Sequence, residues 1–314
     1  MFDHTLSIII ISYNTKKLLE ECIDSIIKSL TNSRINELKN IEIIVVDNNS
    51  QDDSVKMLKN LKFKIKNSIK IKNLKFKIIV NNDNMGFAKA NNQGIKESRG
   101  EYVLFLNPDT VVSQNTIPFM LNYMKKHPQV GVATCRVELV DGELDNACHR
   151  GFPTPWNTFC HFSGLEKLFP HTKIFAGYSL GYLDLNKTHE IDSAVGAFML
   201  VPKKIGEGIE WWDEDYFWYG EDIDFCYRIK EKGYKIMFVP KVKIIHHKGA
   251  SSGIGKTKSK ASIATRKKAM LASTQAMRIF YQKHYLEKYP WLVNQMIFLG
   301  IKILEKIRVW RGKK

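Results

Sequence analysis

The sequence Leu6-Ser7-Ile8-Ile9-Ile10-Ile11 is a short apolar run rich in β-branched residues, and Ser12-Tyr13-Asn14-Thr15 ends it. A run of this length and composition predicts a buried strand. Apolar side chains then recur at helical spacing from Leu18 to Leu30, which predicts a helix directly after the polar turn. A strand, a polar turn and a helix together form the unit from which parallel α/β sheets are built.

The same unit recurs along the first third of the chain. Apolar runs predict further strands at Ile41–Val46, Phe76–Val80 and Tyr102–Leu106, and a cluster of Asn, Asp and Ser residues follows each. Helices are predicted from about Asp52 and Gly86. The repetition predicts an α/β fold with a mostly parallel sheet covered on both faces. Because ligands bind outside the carboxyl ends of such strands, we expect the polar turns to meet at one functional edge.

The composition is that of a globular protein with a strong basic excess. The 314 residues include 48 Lys and Arg against 32 Asp and Glu, which favours a polyanionic partner such as nucleic acid, anionic lipid or a diphosphate substrate. The five cysteines are scattered without a C-x-x-C pair, so we expect neither a disulfide framework nor a zinc site. The N-terminus lacks the pattern of a signal peptide, and a cytoplasmic location is expected.

The rest of the chain divides into three parts. The Lys-rich residues 56–78 read as an exposed connection. Residues 142–190 contain several prolines and aromatic residues, and we expect them to form an excursion on the acceptor side of the site. A strand at Ala194–Val201 and a helix at Asp222–Lys232 follow. We therefore divide the chain into a catalytic domain, 1–252, and a basic helical extension, 253–314.

The extension is predicted to be helical from about Met270. Its last part has apolar residues on one face, tryptophans near both ends and several basic residues: Leu292, Met296, Leu299, Ile303, Ile307, Trp291, Trp310, Arg308, Arg311, Lys313 and Lys314. It is too polar to be read as a membrane-spanning helix. The pattern suits a helix that lies peripherally on an anionic membrane surface, or one that packs on its own domain or on a second copy in a homo-oligomer.

Three of the predicted turns carry residues suited to a nucleotide or a metal ion. Asp47, at a strand end, could accept a hydrogen bond from a base or ribose. Gly86 would allow a backbone to approach a ligand closely, at a helix start that suits phosphate. Asp109 follows a buried strand in Asn107-Pro108-Asp109, where a carboxylate needs a partner. Mg²⁺ or Mn²⁺ is such a partner, bound by one or two carboxylates and substrate phosphates.

Two later motifs add candidate catalytic and metal-binding residues. Glu221 and Asp222 open a helix, and we expect Asp222 to remove a proton from an acceptor hydroxyl. Asp224 and Arg228 are four residues apart and could instead pair with each other. In Ile245-His246-His247-Lys248, either histidine is a candidate metal ligand, core residue or surface residue.

The series of motifs resembles the inverting family 2 glycosyltransferases of the GT-A fold, particularly the rhamnosyltransferase-like, polysaccharide-assembly branch. The match runs from about Ile8 to Ser252. It includes Ser-Tyr-Asn, Val-Asp-Asn-Asn-Ser, Asn-x-Gly-Phe-Ala-x-Ala-Asn-Asn, Asn-Pro-Asp, Gly-Ala-Phe-Met-Leu, Gly-Glu-Asp-x-Asp-x-Cys-x-Arg and His-x-x-Gly-x-Ser. The fold implied is a Rossmann-like central sheet flanked by helices.

The resemblance implies a role for each matching position. The metal would be held by Asp109 and His246, with Asn107 standing where many relatives carry a first acidic residue. Asp222 would be the base, with Glu221 beside it. The pocket for the sugar and acceptor would be lined by Gly196, Ala197 and Trp218. The donor, a dTDP- or UDP-linked sugar, would be bound by Ser12, Tyr13, Asn14, Asp47, Asn49, Gly86, Asn91, Asn107 and Arg228. The acceptor would be a saccharide or a lipid-linked saccharide.

Two functions other than glycosyl transfer fit parts of the sequence. A sugar-nucleotide nucleotidyltransferase would share a nucleotide-binding sheet, but Ser12-Tyr13-Asn14 stands where it would need a Gly-rich basic loop. It would release pyrophosphate rather than a nucleoside diphosphate. A basic module that binds nucleic acid or membrane fits the charge, but the acidic motifs would repel phosphate unless a cation intervened. We therefore expect no nucleic-acid partner.

Overall fold

A computed structural model of the chain describes residues 4–31, 40–66, 74–248 and 263–311. The strands are β1 (His4–Ser12), β2 (Ile41–Asp47), β3 (Leu74–Val80), β4 (Gly100–Leu106), β5 (Thr110–Val112), β6 (Val130–Leu139), β7 (His189–Ile191), β8 (Phe198–Pro202) and β9 (Lys235–His246). The helices are α1 (Lys16–Thr31), α2 (Ser54–Lys66), α3 (Phe87–Lys96), α4 (Thr116–Lys126), α5 (Pro155–Ser163), α6 (Leu165–Leu168), α7 (Lys203–Glu207), α8 (Glu221–Glu231), α9 (Ile263–His284) and α10 (Trp291–Arg311).

The described residues form a nine-stranded sheet in the order β3-β2-β1-β4-β8-β6-β9-β5, with β7 paired to β9. The first four strands are parallel, whereas β8 runs antiparallel to β4. Ser12 pairs with Asp47, and Asp47 with Val80, so the carboxyl ends of β1, β2 and β3 lie level. The prediction of an α/β fold whose polar turns meet at one edge is confirmed.

The Lys-rich segment is more regular than the sequence indicated. The helix predicted from about Asp52 and the strand predicted at Phe76–Val80 are confirmed as α2 and β3. The exposed connection expected over 56–78 is wrong for most of its length, because these two elements cover its first part and its end. The helix buries Met57, Leu58 and Ile65 and turns its lysines outward. The lysines of this segment therefore lie on the outer face of a helix. Residues 67–73 lie outside the described part of the chain.

One face of the sheet positions α3 and α8 beside the polar turns. Ile9 and Phe105 are register partners, so their side chains share a face. Gly94 of α3 approaches Ile9 so closely that an added Cβ would lie 2.7 Å from its Cγ2. Phe105 meets the ring of Trp212 edge-on with centroids 4.8 Å apart, and Trp212 packs on Phe225 of α8. Aromatic packing thus brings the first turn of α8 to the functional edge.

The C-terminal helices pack against α8. A separate aromatic cluster joins α8 to α9 and includes Tyr227, Phe280 and Tyr285. The α9–α10 turn is held by Asn294, which accepts from the Tyr281 hydroxyl at 2.6 Å. Within the described residues no helix combines the length and apolar character needed to cross a membrane. The boundary expected between residues 252 and 253 lies outside the described residues, as do Gly249 and Ser251 of the His-x-x-Gly-x-Ser motif.

Candidate active site

A cavity of about 1260 Å³ opens where the parallel strands end. It runs from the β1 and β4 turns to the first turn of α8 and the end of β9. The sequence-predicted residues that line it are Tyr13, Gly86, Asn107, Asp109, Gly196, Trp218, Glu221, Asp222 and His246. The expected excursion, 142–190, also contributes to the wall through Asp145, Arg150 and several residues of α5.

Asparagine side chains tie the turns of this edge together. Asn48 accepts from Asn81 at 2.9 Å and donates to the Gly86 carbonyl at 3.1 Å, so it joins the β2 turn to the β3 turn. Asn14 accepts from the Gln51 backbone N–H at 2.7 Å and joins the β1 turn to the β2 turn. Asn14 and Asn49 both have positive φ. Neither lines the cavity, so their roles as predicted donor contacts are replaced by turn-building ones.

Gly86 is required for a reason other than the one expected. Its φ is 86°, in the left-handed region that favours glycine, and an added Cβ would lie 2.7 Å from the Phe217 carbonyl oxygen. The Phe87 backbone N–H, the first of α3, donates to that same carbonyl at 3.2 Å. The close approach at Gly86 is therefore that of the Phe217 backbone, although Gly86 itself lines the cavity.

Asp109 and His246 lie together on the cavity wall, with Asp145 behind the histidine. Asp109 Oδ1 is 3.2 Å from His246 Nε2, and Asp145 Oδ2 is 3.0 Å from His246 Nδ1. Burial lowers the pKa of His246, but the two carboxylates outweigh it and raise the pKa to about 9. Burial likewise raises the pKa of Asp145, but His246 and Lys248 together lower it well below its usual range.

This arrangement fits one side of a divalent-cation site. Neighbouring ligands of an octahedral ion lie about 3.0 Å apart when the metal–ligand bonds are about 2.1 Å. The Asp109–His246 separation matches this spacing, and a cation could take the place of the proton they share. A carboxylate on the other ring nitrogen is the usual arrangement for a metal-bound histidine. In the described residues no group of three or more His, Cys, Asp and Glu side chains is placed to hold a metal.

Asp222 is held by a cation that sequence reasoning missed. The Arg150 guanidinium lies 2.6 Å from Asp222 Oδ2, and both side chains are largely buried. Asp222 Oδ1 accepts from the Ile223 backbone N–H at 2.8 Å. Because each carboxylate oxygen has two acceptor sites, Asp222 retains the capacity to take a proton from a substrate in the cavity.

Glu221 differs sharply from its neighbour. Burial, followed by the adjacent negative charge of Asp222, raises the pKa of Glu221 to about 8. Its Oε2 is buried without a hydrogen-bond partner among the described residues. Adjacent carboxyl groups in such unlike surroundings are suited to different roles. Glu221 carries its proton at neutral pH, whereas Asp222 faces a fixed cation.

Four predicted site residues are directed elsewhere. Arg228 pairs with Asp224 at 2.8 Å and donates to the Trp211 carbonyl, so the alternative of an Asp224–Arg228 pair is confirmed. Asn91 donates to the Phe87 carbonyl within α3. Ala197 is buried, and its carbonyl accepts from the Asn107 backbone. Ser12 is buried, and its hydroxyl bonds to Thr15.

Asp47 is a different case, because it is buried but incompletely bonded. Its Oδ1 accepts from the Ser50 backbone N–H at 2.9 Å, whereas Oδ2 has no partner among the described residues. Buried carboxylate oxygens without a partner are rare and call for an explanation. Asp47 does not line the cavity as it stands.

The residues that sequence reasoning missed are Asp145, Arg150 and Lys248. The first two lie in the irregular segment, whose local pattern carries no secondary-structure period. Lys248 follows the histidine pair, and its ammonium lies 2.5 Å from Asp145 Oδ1 on the cavity wall. The only sequence signal of the three residues was their charge, which does not reveal the partner of each side chain.

Two curated bacterial proteins are similar to this chain. A minor teichoic acid biosynthesis protein, GgaB of Bacillus subtilis, is 33% identical over 126 residues, covering 40% of this chain and 13% of its own. The poly-beta-1,6-N-acetyl-D-glucosamine synthase of Staphylococcus aureus is 24% identical over 222 residues, covering 69% of this chain and 45% of its own. The chain thus spans less than half the length of either relative.

Two solved structures share the fold at low sequence identity. The mannosyltransferase PcManGT of Pyrobaculum calidifontis, solved with GDP-Man and Mn²⁺, has a TM-score of 0.56 at 14% identity, covering all of this chain and 78% of its own. GalNAc-T7, solved with UDP, GalNAc and Mn²⁺, has a TM-score of 0.56 at 18% identity, covering 77% of this chain and 44% of its own. Both support the GT-A architecture.

The family assignment rests on the sequence as well as on the fold. Residues 7–184, more than half of the chain, match Glycosyl transferase family 2. The matched range includes the β1, β2, β3 and β4 turns, Asp109, Asp145 and Arg150. The chain belongs to Glycosyl transferase family 2.

Proposed function

We propose that the protein is an inverting, metal-assisted glycosyltransferase that uses Asp222 as its base. One observation carries the proposal: the Asp109–His246 pair and the Arg150-held Asp222 line the same cavity. The first pair suits the diphosphate of a donor, and the second suits the hydroxyl of an acceptor. The two halves of a displacement reaction are thus present in one site.

The proposed reaction is a single in-line displacement. Asp222 takes the proton of the acceptor hydroxyl as the oxygen attacks the anomeric carbon. The bond between that carbon and the diphosphate breaks, and its electron pair leaves with the nucleoside diphosphate. A Mg²⁺ or Mn²⁺ ion bound at Asp109 and His246 would neutralise the charge of the departing diphosphate. Attack from the face opposite the leaving group inverts the anomeric configuration.

The donor is proposed to be a dTDP- or UDP-linked sugar, hexosyl or rhamnosyl. The resemblance to the rhamnosyltransferase-like branch supports a dTDP-linked donor. The structure of GalNAc-T7 with UDP, which shares the fold, supports a UDP-linked donor. Asp47 Oδ2 has no hydrogen-bond partner among the described residues. We propose that it accepts a hydrogen bond from the nucleoside after a small adjustment of the Ser12–Asn14 turn. Tyr13, which lines the cavity, would contact the same group.

The acceptor is proposed to be a hydroxyl of a saccharide or lipid-linked saccharide used in polysaccharide assembly. The names of the curated relatives support this class. Gly196 and Trp218 would border it, because both line the cavity. The exposed apolar face of α10, which includes Leu292, Met296 and Leu299, suits peripheral attachment to the cytoplasmic face of a membrane.

A screen of nucleotide sugars by thermal shift, with Mg²⁺ or Mn²⁺, tests the proposal. We expect one or a few donors to raise the melting temperature only when the cation is present. The Asp109→Asn variant should lose this effect, whereas Asp141→Asn, which alters an exposed loop residue, should keep it. Transfer should release a nucleoside diphosphate. Release of pyrophosphate would identify a nucleotidyltransferase, and transfer undiminished by a chelator would refute the metal role of Asp109.

A further inference from the structure

The active-site cavity continues beyond Asp222 into an apolar trough between α5, α9 and α10. The main apolar side chains of this trough are Met270, Met277, Phe280, Ile301, Leu304 and Ile307. A sugar and a nucleotide are polar, so neither explains an apolar extension of the site that holds them. The trough is open on one side, where Met296 and Ile303 are largely exposed.

The trough begins directly beside the catalytic carboxylates. Gly220, which precedes Glu221, packs so closely on α9 that an added Cβ would lie 2.9 Å from the Cβ of Ala276. Ala276 lies one residue before Met277 of the trough wall. A molecule that places a polar group at Asp222 can therefore extend an attached chain along α9 without leaving the cavity.

A single basic side chain of α10, Arg308, lines the trough. It donates a hydrogen bond to the Ser273 hydroxyl, and the described residues include no acidic side chain that forms an ion pair with it. Ser273 precedes Ala276 by three residues, which is about 4.5 Å along the helix axis. Burial lowers the pKa of Arg308. A half-buried guanidinium near the mouth of an apolar trough suits a phosphate group.

We propose that this trough binds the hydrocarbon chain of a lipid phosphate or diphosphate that carries the acceptor, with Arg308 at the phosphate. The inference rests on the proposed function, because it names the carrier of the acceptor hydroxyl. The one cavity offers the three kinds of group that such a molecule needs: carboxylates for the sugar, a cation for the phosphate and an apolar wall for the chain. The open side lets a long chain continue into a bilayer.

Filling the trough tests the proposal without altering the catalytic residues. Gly300 lines the trough, and a Cβ added there meets no atom within 4 Å, so Gly300→Phe should fold normally. Leu299→Phe is the matched control, because Leu299 neighbours it on α10 but does not line the cavity. Farnesyl diphosphate is titrated calorimetrically in EDTA, which keeps its diphosphate from binding through a metal at Asp109. We expect Gly300→Phe to weaken binding at least about tenfold, the value of about two buried methylene groups.

A second pair of variants tests the phosphate contact. Arg308→Gln should weaken the binding of farnesyl diphosphate about tenfold or more, the usual size of a charged hydrogen bond. Lys306→Gln, which removes an exposed cation from the same helix, should not. Inorganic diphosphate should bind far more weakly than farnesyl diphosphate to the unaltered chain.

Several results would overturn the proposal. Equal binding by Gly300→Phe and Leu299→Phe would show that the chain lies elsewhere. If farnesyl diphosphate does not bind but the protein sediments with phosphatidylglycerol vesicles, the apolar face of α10 is a membrane-contact surface and the trough does not bind a lipid chain. Donor binding in Mn²⁺ is measured on the same samples. If the donor binds and the isoprenoid does not, the trough proposal alone fails, whereas loss of both would count against the glycosyl-transfer site.

Discussion

The guanidinium of Arg150 and the carboxylate of Asp222 are 2.6 Å apart and are largely withdrawn from solvent. The two residues are 72 positions apart in the chain, one in the irregular segment after β6 and the other in the first turn of α8. This pair fixes the orientation of the proposed base and gives it a permanent positive neighbour.

Replacing Asp222 with Asn removes the proposed proton acceptor with little change of shape. We expect Asp222→Asn to bind the nucleotide-sugar donor as the unaltered protein does and to lose about 10²–10⁴-fold in kcat, the usual contribution of a general base. Donor affinity is measured by calorimetry and turnover by release of nucleoside diphosphate. Full activity in this variant would refute the assignment.

Replacing Arg150 with Leu leaves Asp222 partly buried without its cation. We expect kcat to fall about 10²-fold, because a misplaced catalytic group is enough for a loss of this size. Donor affinity should change little, because Arg150 contacts the proposed base and not the Asp109–His246 pair. Arg150→Lys should restore part of the activity, and Arg136→Leu, which affects a pair with Glu138, should change neither kcat nor donor affinity. An unaltered kcat in Arg150→Leu would contradict the proposed role.

Glu221 should make the stability of the protein depend on pH. Its pKa of about 8 lies above its ordinary value of 4.5, so the folded protein binds a proton that the unfolded chain releases. The contribution of this proton to the free energy of unfolding is fully present below pH 4.5 and is lost as the pH rises through 8. Relative to the unaltered protein, Glu221→Gln should gain stability between these limits, on the order of 4 kcal/mol at the upper one.

Urea unfolding at acidic and mildly alkaline pH measures this difference in the free energy of unfolding. The control is Glu143→Gln, which replaces an exposed carboxyl group. Parallel pH dependence in Glu221→Gln and in the unaltered protein would show that Glu221 is not the group responsible.

Asp145 should act on the metal through His246. Asp145→Asn removes the negative charge beside His246 Nδ1, so the imidazole ring is held less firmly with Nε2 toward Asp109. We expect the affinity for Mn²⁺ to fall about 10–100-fold, the usual effect of losing such a partner. Electron paramagnetic resonance of free Mn²⁺ reports this affinity without requiring turnover. Asp141→Asn, in the same segment but exposed, should bind Mn²⁺ normally, and equal affinities in the two variants would rule out the role.

The link between α8 and α9 should contribute strongly to stability. Asp224 is fully buried and accepts from His284 of α9 at 2.7 Å and from Arg228 at 2.8 Å. Asp224→Ala leaves both partners without an acid and should cost about 3–5 kcal/mol. Asp215→Ala breaks an exposed pair with Lys283, which also lies in α9, and should lower the free energy of unfolding by less than about 1 kcal/mol. Similar losses in the two variants, measured by urea unfolding, would contradict this account.

Most of the fold was predictable from local sequence pattern. The apolar runs and the polar clusters that end them determined the four parallel strands, their helices and the edge where the turns meet. Asp109 was predictable because a carboxylate directly after a buried strand needs a partner. The start of α2 was predictable, but its Lys-rich part was assigned to an exposed connection, since its apolar face is short and its charges dominate the composition.

By itself the sequence determined which residue types stand at the ends of the strands and at the start of α8, because these positions follow from short-range periodicity. Only the tertiary structure decided which side chains become partners. Arg150 meets Asp222 and Asp145 meets His246 across long separations in the chain. The apolar trough likewise exists only because α9 and α10 fold back onto α8. Such pairings depend on how the sheet and helices pack, which no local pattern encodes.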